Sequence, residues 1–255
     1  MTALLKTIDS DIKAEMFANV LKVTNGVKIH SWKMKAEKLK DHERIKYEIL
    51  KAIIESYENK NDQAIETSKK TLLLTSNTSL QASIHRNIGN MYTHVGDFLN
   101  AIDSYWQAYR ITLAPSYYDA ALSIAKLYFV HDKRLYDMKS FDQKKKEEVQ
   151  ASLSDLDIDL QEIQAIDLNL DLYRDILSSA FTIFFRHCCD NLQRLLDISD
   201  SNLSTILFNP NLDLKTVELL NDEMNDELIK LLDKYDYEDI LKYPVLFSAE
   251  NFALK

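Results

Sequence analysis

The sequence predicts an all-α protein, and three observations carry that prediction. Its 255 residues include only three glycines and three prolines, too few for the turns of a β protein. Leu, Ile, Lys, Glu, Asp and Ala dominate instead. Apolar residues recur at three- and four-residue steps along most of the chain, the spacing that lines one face of a helix.

The first such stripe runs from residue 3 to residue 24, with Leu4, Leu5, Ile8, Ile12, Met16, Val20 and Leu21 on one face. Gly26 is its expected stop, and Ser31 the expected cap of a second helix that begins at Trp32. That helix carries Lys33, Lys35, Lys38 and Lys40, read as a solvated face rather than a docking surface. A helical hairpin follows, from Tyr47 to Tyr57 and from Asn61 to Leu74, closed at Asn59-Lys60. The polar link Thr75–Ser79 leads to the best-patterned stretch of the chain, Ala82 to Pro115.

In that stretch Ile88, Gly89 and Tyr92 are followed by a turn at Gly96-Asp97-Phe98, and then by Ala101, Tyr105 and Ala108. Small residues let two helices approach and large ones fill the gaps beside them, so Gly89 and Ala101 are expected to face each other across the hairpin. This spacing resembles a tetratricopeptide repeat. His85 stands where that family usually has Trp, and Pro115 comes two residues late. The preceding hairpin echoes the pattern 37 residues earlier, with Ala64-Ile65-Glu66 for Ala101-Ile102-Asp103 and Ala52 in the place of Gly89. Ile124, Ala125 and Tyr128 repeat it once more, before His131-Asp132-Lys133 and a stretch with no small residue in the Ala101 place. There the repeats decay.

Residues 152–172 fit two patterns. They alternate as a strand would, but Leu153, Leu156, Leu160, Ile163, Ile166, Leu170, Tyr173 and Leu177 also form a helical stripe, and the helix is the expectation. Evenly spaced Asp residues without a glycine turn exclude an EF-hand. Ser178 to Cys189 is apolar nearly all round and reads as a central, buried helix. Asn209-Pro210-Asn211 is a break, after which Asp213 caps a further amphipathic helix. Tyr243-Pro244 interrupts again, and an amphipathic tail with Phe247, Phe252 and Leu254 ends the chain.

The resemblance implies a helix-pair solenoid over residues 1–150, followed by a helical bundle over residues 151–255 that covers its end. Charge divides the same way. Residues 151–255 hold 21 acidic and 8 basic side chains, against 19 acidic and 23 basic in residues 1–150. The overall balance of −9 argues against a nucleic-acid footprint. No apolar run approaches the ~20 residues of a membrane span, and the N-terminus lacks the apolar core of a signal peptide. A cytoplasmic protein without membrane partners is expected.

Motifs for chemistry are missing. The two cysteines, Cys188 and Cys189, are adjacent and form no disulfide framework. His187, Cys188, Cys189 and Asp190 point about 100° apart on a helix and cannot converge on one ion. No glycine-rich phosphate loop, nucleophile elbow or H-E-x-x-H occurs. No enzyme, cofactor or metal is expected.

What the resemblance does imply is a groove lined by the first helix of each pair. Carried onto this chain, the family's ligand-facing positions are Ser83, Arg86, Asn90, Thr93 and His94. Arg86 and Asn90 resemble the basic-plus-Asn pair with which some members hold a terminal carboxylate. Asp119 and Ser123 in the following repeat do not complete that clamp, so the expectation is a more general peptide or helix groove. The leading function is a non-enzymatic module that binds a protein or peptide, as an adaptor, chaperone or regulator. Two alternatives are an inhibitor whose acidic half occupies a partner's basic, nucleic-acid-binding surface, and a peptide-sensing regulator. A homo-oligomer is compatible with any of these.

Overall fold

The computed structural model describes residues 2–199 and 201–250. Helices account for 66% of the chain, which places it in the mainly α class at the coarse level. By internal contacts it falls into two compact units, one of residues 1–117 with 185–190 and the other of residues 118–184 with 191–255.

The first unit begins with α1 (Thr2–Met16) and α2 (Gly26–Glu37). Here two boundary expectations are corrected. The first helix ends at Met16, and Gly26 opens the second helix rather than closing the first. The cap is Asn25, whose side chain accepts hydrogen bonds from the amides of Val27 and Lys28, two of the donors that a helix start leaves unpaired. Ser31 lies inside α2. Trp32 is fully buried, donates to Glu15 at 2.8 Å and meets the Tyr57 ring edge-on at 5.4 Å.

Two helical hairpins follow: α3 (Arg44–Tyr57) with α4 (Asn61–Leu72), and α5 (Thr78–His94) with α6 (Phe98–Thr112). Each of these helices packs on the next. The two turns share one geometry. Asn59 and Gly96, 37 residues apart, both take left-handed backbone angles, φ 64° and 70°. The next amides, Lys60 and Asp97, reach back to the carbonyls of Glu55 and Tyr92, each at 2.9 Å. This six-residue closure satisfies carbonyls that the helix end would otherwise leave bare. Glycine adopts the left-handed angle without a side-chain penalty, and Asn is the next most tolerant residue.

Ala64 and Ala101 occupy matching, fully buried places in the second helix of each hairpin. Buried Glu55 accepts from Gln63 at 3.1 Å and Thr67 at 2.8 Å, pinning α3 to α4 through polar contacts. In the second hairpin the expected facing pair is corrected. What stands closest over Gly89 is the ring of Tyr105, and a Cβ added to Gly89 would lie 2.9 Å from it. The Tyr105 hydroxyl donates to Asn90 Oδ1 at 2.7 Å, which holds the ring in place.

The second unit starts in α7 (Pro115–Leu127) and continues through a short 3-10 turn at Lys133–Tyr136. Tyr118 donates to the Leu135 carbonyl, and its ring meets Phe141 edge-on at 4.8 Å. Next come α8 (Gln143–Ala165) and α9 (Leu170–His187). The strand alternative for residues 152–172 is absent. The single stripe is broken instead at Asp167, which takes a left-handed φ of 53°, before Asn169 accepts from the amides of Asp171 and Leu172.

Strands appear elsewhere. β1 (Gln193–Ile198) and β2 (Leu203–Phe208) form an antiparallel hairpin, and β3 (Val245–Ser248) pairs parallel to β2, giving the order β1-β2-β3. The part of the expected amphipathic tail around Phe247 is a strand, while Phe252 and Leu254 lie outside the described residues. Between the strands run α10 (Leu214–Leu231), capped by Asp213 as expected, and the short α11 (Tyr237–Ile240). Asn221 on α10 bonds both the amide (2.8 Å) and the carbonyl (3.1 Å) of Phe247, occupying polar groups that β3 would otherwise leave open. Arg174 and Arg194 donate to the carbonyls of Tyr128, Phe129, Leu127 and Lys126 at the end of α7, where cations also suit the helix dipole.

Gly89→Ala provides the test of the hairpin packing. Helix propensity alone would favour alanine by about 1 kcal/mol, but the clash with Tyr105 costs ~1–3 kcal/mol. A net loss in a denaturant titration is expected. In a Tyr105→Ala background, where the ring is gone, the same substitution should turn neutral or stabilising.

Candidate functional site

The first unit contains a cleft of about 680 Å³, counted out to its open mouth. Its walls come from four parts of the unit. Lys13 and Phe17 stand at the end of α1, Lys22 on the link after it, Ile53, Ser56 and Tyr57 on α3, and Arg86, Asn87, Asn90, Met91 and His94 on α5, with Cys189 closing one side. Arg86, Asn90 and His94 share a face because residues four apart on a helix lie one above the other. The structure therefore gathers three of the five expected positions around one cavity.

The other two stand apart from it. Ser83 is half-buried and does not line the cleft. Thr93 is buried, and its hydroxyl donates to the Gly89 carbonyl one turn back at 3.0 Å. Asn90 has a double role, since its Oδ1 is taken by Tyr105 while its side chain stays exposed in the wall.

Residues 185–190 shape the cleft in a way the sequence did not announce. The Phe185 ring stacks on His94 at 4.1 Å with 25° between the planes. Lys22 Nζ donates to the Phe185 carbonyl and, at 2.7 Å, to Asn59 Oδ1. Asn59 in turn donates to the Arg186 carbonyl at 3.0 Å. Backbone pairing completes the seam: the Lys22 amide bonds the His187 carbonyl, the Cys189 amide bonds the Val20 carbonyl, each at 2.8 Å, and Leu21 and Cys188 form a single antiparallel bridge. The three successive carbonyls at residues 185–187, which end a helix, thus all find donors.

The electrostatics of the walls are one-sided. Lys13 pairs with Asp9 at 2.9 Å, but Lys22 and Arg86 have no carboxylate partner among the described residues. No acid lines the cleft. Burial lowers the Lys22 pKa to about 8, because a partly desolvated ammonium loses hydration that carbonyl oxygens replace incompletely. Burial, and then the charge of Lys22, push His94 down to about 3. His94 is therefore a neutral ring at physiological pH, set between Ser56 Oγ at 3.4 Å and the Phe185 face.

Sequence reasoning missed Lys13, Phe17, Lys22, Tyr57 and Cys189 as wall residues. All five lie outside the best-patterned hairpin, and no local signal in α1 or in residues 185–190 ties them to α5. Among the described residues no three of His, Cys, Asp or Glu are placed to share a metal ion, and no helix is long and apolar enough to cross a membrane. Comparison with known protein families, curated proteins and solved structures finds no match to this chain.

The His94 environment gives a pH dependence with a definite sign. A histidine that protonates near pH 6.5 when unfolded but only near 3 when folded makes the unfolded state the better proton binder between those values. Acidification through that window should destabilise the wild type by on the order of 1 kcal/mol or more relative to His94→Gln, and the two should run parallel above pH 7. Paired thermal melts from pH 7.5 to 4 measure the difference.

Proposed function

We propose that this chain is a non-enzymatic binding module, an adaptor or regulator that holds a segment of a partner protein against the α3–α5 face. The observation that carries the reading is the cleft itself, where exposed Arg86 and Asn90 stand beside apolar Ile53, Tyr57 and Met91. A few polar groups among apolar walls is the usual composition of a recognition site.

The tetratricopeptide-like solenoid belongs to the same proposal. What supports it is the recurrence at 37 residues of a buried alanine, a left-handed turn residue and one hydrogen-bond closure in two successive hairpins. In such an arrangement the first helices, here α3 and α5, form the recognition side, which agrees with their joint contribution to the cleft walls.

The test is affinity capture from an extract of the source cell with wild type and Arg86→Glu in parallel. Arg86 is exposed and, among the described residues, bonds only its neighbour Asn87, at 3.4 Å, so the substitution should leave the melting temperature unchanged. Loss of at least ten-fold in one captured protein, with others constant, is the expected result. An unchanged set of captured proteins would place recognition away from this face.

A further inference from the structure

We infer that the cleft of the first unit takes a small amphiphilic anion, a single carboxylate carried on an aliphatic or aromatic body. This uses the same cleft as the recognition reading but does not need the protein partner, so the two can fail separately.

The first argument is charge. Lys22 and Arg86 face a cavity that has no acidic residue in its wall, and neither has a carboxylate partner among the described residues. No carboxylate in the wall balances these positive charges, and water screens a charge less in a partly enclosed place than on an open surface. An entering anion supplies the missing negative charge, and a guanidinium offers it paired donors.

The second argument is shape and polarity. The same walls carry Phe17, Ile53, Tyr57 and Met91, and Lys22 Nζ lies 5.7 Å from the centre of the Tyr57 ring. Phe17 is 51% exposed, and its ring meets Tyr57 edge-on at 6.3 Å, so an aromatic face lies bare at the mouth. An inorganic anion would leave this apolar wall wet, and a neutral lipid would leave the cations unanswered. An amphiphilic carboxylate meets both.

The depressed Lys22 pKa is a consequence rather than the ground of the proposal. The groups acting on Lys22 are the thiols of Cys188 and Cys189, the Tyr57 ring, Asn59 Oδ1 and the Phe185 carbonyl; Lys22 in turn acts on His94. Lys13 and Arg86 share the cavity. A bound carboxylate would be the one full negative charge in the cleft and would raise the lysine pKa. Binding near pH 8.5 should therefore take up a fraction of a proton, whereas binding at pH 6.5 should take up none.

The experiment is isothermal titration calorimetry of the intact chain with decanoate, below micelle-forming concentrations, against decanol as its neutral counterpart. Decanoate should bind at least ten-fold more tightly than decanol. Arg86→Ala should weaken decanoate at least five-fold without changing the melting temperature or the binding of decanol. Repeating the titration at pH 8.5 in buffers of different ionisation enthalpy reads the proton uptake, which Lys22→Met should abolish. Equal binding of decanoate and decanol would overturn the proposal, as would wild-type affinity for decanoate in Arg86→Ala and Lys22→Met together. A blocked acidic peptide, acetyl-Asp-Leu-Leu-Asp-amide, forms the third arm. Binding of that peptide without decanoate would overturn the small-molecule site and leave the protein-binding reading standing. Binding of decanoate with an unchanged set of captured proteins would have the reverse outcome.

Discussion

The ring of Tyr105 lies on the bare backbone of Gly89, and much of the first unit follows from that contact. A glycine in the middle of a helix sacrifices roughly 1 kcal/mol of helix preference relative to alanine, which must be recovered by packing. Here the recovery is a close approach of α5 and α6, with no room for even one methyl group between them. The same ring sends its hydroxyl to Asn90, so the packing contact also orients a cleft residue. A change in the hairpin interior thus reaches the cleft by a single hydrogen bond.

A second constraint is the treatment of helix ends. Every α-helix leaves carbonyls unpaired at its C-terminus, and this chain meets the need in three ways. The α3 and α5 ends close through a left-handed residue and a backward amide. The end of α7 uses two arginines, Arg174 and Arg194, as donors. The carbonyls of residues 185–187 take Lys22 twice, through backbone and side chain, and Asn59 once. Asn59 serves both systems, since it makes the α3 turn and then reaches the Arg186 carbonyl. The price of this last arrangement is an ammonium group held in a half-buried place, and it leaves Lys22 as the most perturbed lysine of the cleft.

The side chains packed within these helices and those in the cleft walls differ in freedom. Thr93, Tyr105 and Glu55 are fixed by buried hydrogen bonds within or between helices. Arg86 is held only by a long contact to its neighbour, and Phe17 is half-exposed. With rigid backing and adaptable tips, the cost of ordering this surface would fall on few side chains. The absence of any acid among the wall residues gives that surface one sign of charge, although the chain as a whole is acidic.

Sequence alone was enough for the helical class and for the two hairpins from Arg44 to Thr112, because their signals are local: a 3.6-residue apolar period, small residues at matched places, and a residue suited to a left-handed turn. Three wall positions, Arg86, Asn90 and His94, came instead from the resemblance to the repeat family, whose ligand-facing positions fall on them. The sheet was not legible. β2 (Leu203–Phe208) is mostly apolar, yet six residues do not separate a strand from a buried helix turn, and β3 depends on a parallel partner some 40 residues earlier. Nor could sequence place Gly26, where the competing Asn25 cap decided the boundary. Lys22 and Phe185 lie 163 positions apart, and no local pattern connects them. Only tertiary packing brings a desolvated lysine, a neutral histidine and a stacked phenyl ring to one place, because burial and long-range hydrogen bonding, rather than residue type, set their chemistry.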